Sequence, residues 1–97
     1  MKGTDTNFVE FKEPDYQKFI ESIPTDYKWK FGFHKSDSSD LISIMAENNY
    51  ITFELTDVEC LISNGRDGHM SIHTKHGMIS IYVRTGMTLT QLFKPIN

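Results

Sequence analysis

Two stretches of apolar alternation limit what this chain can become. LISIMAENNYITFEL (residues 41–55) and HMSIHTKHGMISIYV (residues 69–83) place apolar side chains at every second position around a short polar break. A period of two sends alternate residues to opposite faces of a strand, so each stretch reads as a β-hairpin with one buried and one open face. In the first, a two-residue loop at Asn48-Asn49 sets Ala46 opposite Ile51, Ile44 opposite Phe53 and Ile42 opposite Leu55. In the second, a turn at His76-Gly77 pairs Thr74 with Ile79, Ile72 with Ile81 and Met70 with Val83. Its open face then carries His73 with Ser80, Ser71 with Tyr82 and His69 with Arg84. A slip of one residue would mix the apolar and polar sets, which fixes the face each side chain takes.

Each hairpin leads into a helix-start pattern. Thr56-Asp57-Val58-Glu59 and Thr88-Leu89-Thr90-Gln91 both offer the hydroxyl and the acid or amide of a capping box. The first predicts a helix with Val58, Leu61 and Ile62 inward, ending at Asn64-Gly65 as a left-handed cap. The second predicts a helix using Leu89, Leu92 and Phe93 and stopping before Pro95. Together they suggest one hairpin–helix plan used twice. The competing reading makes residues 58–63 another strand in a continuous meander.

A further helix is predicted from Pro14, with Tyr16, Phe19, Ile20 and Ile23 in one apolar stripe before Pro24. YKWKFGFHK (residues 27–35) alternates Tyr27, Trp29, Phe31 and Phe33 against Lys28, Lys30, Gly32 and His34. That pattern predicts a strand with its aromatics buried. The expected fold is therefore α+β, an antiparallel sheet of about five strands with helices packed on one face. Such a two-layer sandwich suits a single domain over residues 1–97, with residues 1–7 flexible.

Composition removes several function classes. The chain has one cysteine, Cys60, so neither an internal disulfide nor a Cys-based zinc knuckle is available. Its apolar runs fall far short of the roughly 20 residues a membrane helix needs. The start MKGTDTN lacks the apolar stretch of a secretory signal, and a cytoplasmic location is expected. Net charge is −3, distributed unevenly: residues 28–36 hold three lysines and no acid, and residues 37–67 hold seven acids against Arg66. This is not the basic footprint of a protein that neutralises many phosphates.

Three of the four histidines lie in the second hairpin, which raises metal binding. On a strand, however, His69 and His73 share a face with their Cα atoms ~13 Å apart, too far to hold one ion comfortably. His76 falls in the turn. No metal and no cofactor are expected. Cys60, on a predicted helix, is expected to act as a small core hydrophobe. No nucleophile elbow, phosphate-binding glycine loop or H-E-x-x-H motif is present, so no catalytic residue is assigned.

What remains is binding. His69, His73, Tyr82 and Arg84 make a contiguous cationic-to-aromatic set on the open hairpin face, and Tyr and Arg are favoured at interface hot spots. Lys28, Lys30, His34 and Lys35 form a secondary set, in which basic and aromatic residues interleave as they do in single-strand nucleic-acid platforms. The expected function is a non-enzymatic binding protein acting on a protein partner, of inhibitor, immunity or adaptor type. The economy of parts suits a phage or mobile-element product. A homodimer through the open face or a free strand edge is compatible with this design. The alternatives are a single-stranded nucleic-acid module using the 28–35 strand, and a small enzyme or metal-binding domain using the histidines.

Overall fold

The computed structural model describes residues 6–64, 68–83 and 88–93. Its elements run β1 (Thr6–Glu10), α1 (Tyr16–Ser22), α2 (Thr25–Lys30), β2 (Gly32–Lys35), β3 (Leu41–Met45), β4 (Tyr50–Glu54), a 3-10 turn at Leu55–Asp57, β5 (Val58–Asn64), β6 (His69–Thr74), β7 (Gly77–Tyr82) and β8 (Thr88–Phe93). The fold is α+β but mostly β. A five-stranded antiparallel sheet has the order β1-β5-β6-β7-β8, and a three-stranded antiparallel sheet has the order β2-β3-β4. Of the stretch expected to be flexible, residues 1–5 lie outside the described residues. Thr6 and Asn7 belong to β1, paired with Asn64 and Ser63.

One core joins these parts. It gathers Phe19, Ile23, Tyr27 and Phe31 from the helical segment and Ile42, Ile44, Ile51 and Phe53 from the smaller sheet. Leu61, Met70, Ile72, Ile79, Ile81 and Leu89 enter it from the larger sheet. Phe19 sits at its centre, with its ring 6.0 Å from that of Phe11 and 5.9 Å from that of Phe53. The predicted stripe of α1 is thus real, although Asp15 rather than Pro14 marks the start. The Asp15 carboxylate accepts from the Lys18 backbone N–H at 3.0 Å as an N-cap.

Both hairpins form, and both close two residues away from the expected register. Met45 faces Tyr50 and Ile44 faces Ile51, leaving a four-residue loop in which the Ala46 N–H donates to the Asn49 carbonyl at 2.7 Å. Thr74 faces Gly77, leaving Lys75 and His76 as the turn. A shift of two preserves the face of every side chain, so alternation cannot distinguish the two registers. Turn chemistry decides the second one. Gly77 has φ of 155°, and a Cβ there would run into the Leu92 carbonyl of the neighbouring strand, so glycine belongs in the ladder.

Three expected elements are corrected. Residues 58–64 form β5, not a helix; the meander reading was right here. A β-bulge lies between Val58 and Cys60, so the inward residues are Val58, Leu61 and Ser63. The bulge adds one residue to the period of two, and the resulting three-residue step imitates a helical stripe. Residues 88–93 form β8, where a helix of one turn and a half could not repay its nucleation cost against pairing with β7. The hairpin–helix repeat is therefore absent.

The third correction concerns residues 27–35. Thr25–Lys30 is helix α2, and only Gly32–Lys35 is strand. Ile23, Tyr27 and Phe31 are buried at four-residue spacing, carrying the apolar stripe of α1 onward past Pro24. Among the described residues, no helix is long and apolar enough to cross a membrane.

Candidate functional site

The larger sheet turns one face to the core and the other away from it. Cross-strand pairing arranges the outer face in rows. The middle row runs Phe8, Ile62, Ser71, Ser80 and Thr90. On one side lies Glu10, Cys60, His73, Met78 and Leu92; on the other lies Asn64, His69, Tyr82 and Thr88. Glu10, at the β1 margin, is the only Asp, Glu, Lys or Arg in these paired rows, and Glu59, the exposed bulge residue, adds a second carboxylate beside Cys60. Phe8 is 62% exposed, Leu92 59% and Tyr82 40%, so large apolar surface is left uncovered.

The two imidazoles roof the middle of this face. His69 pairs with Tyr82 across the ladder, and their rings stack at 4.3 Å between centroids and 21° between planes. His73 Nε2 lies 3.1 Å from the Ser71 hydroxyl. Ser71 and Ser80, directly opposite each other, are buried beneath these larger neighbours. His69 Nε2 is buried with no hydrogen-bond partner among the described residues. His76 stands apart in its turn, 3.2 Å from the Asp57 carboxylate, as the Lys75 N–H bonds the Asp57 carbonyl at 2.9 Å.

The structure therefore brings together three of the four primary candidates, His69, His73 and Tyr82. It places Tyr82 beside His69, where the expected register had Arg84. Arg84 lies outside the described residues. The secondary set does not assemble as expected. Lys28 and Lys30 are exposed on α2, with the Lys30 ammonium donating to the Val83 carbonyl at 3.3 Å. His34 and Lys35 point to opposite sides of β2. The Lys35 ammonium is taken up by the carbonyls of Ser36 and Ser39, at 3.0 and 2.9 Å, and lies over the Tyr16 ring.

Cys60 was misplaced by the helix reading. It sits on the outer face, directly opposite His73, a juxtaposition that only the bulge at Glu59 creates. Burial pushes its thiol up from the ordinary range, and the carboxylates of Glu59 and Glu10 push it the same way. That is the reverse of what activates a cysteine nucleophile. Ser71, though within reach of an imidazole, is buried at 5% exposure. Among the described residues, no group of three His, Cys, Asp or Glu side chains could hold a metal ion.

A second uncovered patch lies on the smaller sheet, where Leu41, Met45 and Tyr50 share the face away from the core with Ser43 and Thr52. Their common parity was readable in the sequence, but nothing there showed that a separate sheet would present them. No family model, curated protein or solved structure matches the chain.

Proposed function

We propose that this is a non-enzymatic binding protein whose working surface is the outer face of the five-stranded sheet, and that its occupant is a protein. The observation that carries the reading is the uncovered row structure itself: Phe8, Ile62, Met78, Tyr82 and Leu92 on one sheet face, with two acids, Glu10 and Glu59, beside Cys60 toward one end. A contiguous apolar patch is costly to leave in water and marks interaction surfaces in soluble domains. Depletion of charge with retention of Tyr and Met is the composition of an interface centre.

The edges of the same sheet support the face over edge pairing. The Glu10 carbonyl of β1 accepts from the Lys18 ammonium at 2.8 Å, and the Leu89 carbonyl of β8 accepts from the Asn49 side chain at 3.0 Å. Each outer strand thus has a backbone acceptor already occupied by a side chain from another element, which blunts strand addition. An inhibitor, immunity or adaptor role fits a domain that offers one such face. A second copy of the chain is an occupant of the same chemical kind.

Affinity purification from the native host tests this. Wild type should retain a protein that the double variant Tyr82→Ala/Leu92→Ala loses while its unfolding midpoint stays within a few degrees. Retention of the same protein by the folded double variant would contradict the assignment.

A further inference from the structure

The chain has one tryptophan, and Trp29 is 84% exposed, more than any other large apolar side chain among the described residues. Its display is fixed by the helix that carries it. Tyr27 and Phe31, four residues apart, are buried at 2% and 3% exposure and anchor one side of the segment. A residue two positions from each is turned about 200° around the axis from Tyr27, so Trp29 must face outward while its neighbours hold the core.

Lys28 and Lys30 flank the indole, both exposed, in the last turn of α2. The contact of Lys30 with the Val83 carbonyl ties that cation to the residue that follows β7. Residues 28–36 contain no acid, and the closest acid in sequence is Asp26 in the first turn of the helix. An exposed aromatic ring with an exposed lysine before and after it on the same helix is complementary in chemistry to an unpaired base and its neighbouring phosphates.

We infer that α2 is a contact site for single-stranded nucleic acid, with one base stacked on Trp29 and the adjoining phosphates met by Lys28 and Lys30. The strand expected over residues 27–35 buries all four aromatics and leaves no ring for a base. The helix supplies one by turning Trp29 out and leaving Tyr27 and Phe31 in place. His34 lies on β2, and Lys35, half-buried, is held by two loop carbonyls at 3.0 and 2.9 Å and the Tyr16 ring, so neither belongs to the contact. The exposed Lys30 makes a single 3.3 Å bond among the described residues and keeps two ammonium hydrogens for a phosphate. Trp29 and Lys28 lie on α2, apart from the rows of the outer sheet face.

As the sole tryptophan, Trp29 reports on its own occupancy. A titration with a twelve-nucleotide oligo(dT) at low salt should quench its emission, and log K against log salt should fall with a slope of about −1.4 for two phosphates. Anisotropy of a labelled oligonucleotide should show binding weakened about tenfold by Trp29→Ala, with partial recovery in Trp29→Phe. Lys28→Ala should reduce the salt slope by about half. All three variants should keep the wild-type unfolding midpoint, and Tyr82→Ala should bind the oligonucleotide as wild type does. Absence of binding at low salt, or binding that Trp29→Ala leaves intact, would overturn the inference. So would a blue-shifted emission on phosphatidylglycerol vesicles without oligonucleotide binding, which would assign α2 to a membrane surface.

Discussion

His69 and Tyr82 face each other across β6 and β7 with their rings stacked 4.3 Å apart, so two of the candidate residues contact each other directly. The pair is part of the sheet as well as part of its surface. Cross-strand aromatic pairs contribute up to about 1 kcal/mol beyond alanine. A double-mutant cycle on His69→Ala and Tyr82→Ala, followed by urea denaturation, should give a coupling of about 0.5–1 kcal/mol. A coupling indistinguishable from zero would mean that the stack does not persist in solution.

Phe19 and Trp29 should respond oppositely to truncation. Phe19 is fully buried between Phe11 and Phe53, so Phe19→Ala should cost about 3–5 kcal/mol by lost transfer energy and a cavity. Trp29→Ala should change stability by less than about 0.5 kcal/mol, since its ring is exposed. A large loss in Trp29→Ala would instead support a continuous strand over residues 27–33 with every aromatic inward.

That contrast shows why this segment could not be read from its pattern. Tyr27, Trp29, Phe31 and Phe33 satisfy a period of two, while Ile23, Tyr27 and Phe31 satisfy a helical period, and only the fate of Trp29 separates them. The hairpins were legible because parity assigns faces without knowing the turn; their register was not, since a shift of two keeps every face. At Val58 and Leu61 the difficulty was a bulge, which breaks the strand period by one residue and so borrows the spacing of a helix. The candidate site inherited these errors. His69, His73 and Tyr82 kept their face, whereas Cys60 joined it only through the bulge and the 28–35 set was divided between a helix and two sides of a strand.

Gly77 should tolerate no side chain. A Cβ at this position meets the Leu92 carbonyl, and its φ of 155° disfavours other residues. Gly77→Ala should destabilise by about 3 kcal/mol or push β8 away from β7. Thermal unfolding reads the first outcome, and faster amide exchange across residues 88–93 reads the second. Wild-type behaviour in both would contradict the β7–β8 register.

Alkaline pH should weaken the fold through Cys60 and Tyr27. Burial raises both groups above their ordinary values, with Glu59 and Glu10 adding to the first and Asp26 to the second. The folded chain therefore holds these protons more tightly than the unfolded chain. Their contribution is fully present below the unfolded pKa values and is lost as pH rises through the folded ones. Denaturation midpoints should fall above pH 9, and Cys60→Ala should flatten the first part of that fall. Alkylation of Cys60 by iodoacetamide at pH 7.5 should run slower than that of the unfolded chain; faster reaction would indicate an activated thiol.

The outer face of the larger sheet is the centre of this account, and site-specific photo-crosslinking tests it most directly. A photoreactive side chain would be placed at Leu92, on that face, and separately at Glu21, exposed on α1, each in the native host. The face reading predicts a discrete protein adduct from position 92 and none of matching mass from position 21. Adducts from position 21 alone, or no adduct from position 92 in a chain that folds normally, would contradict it.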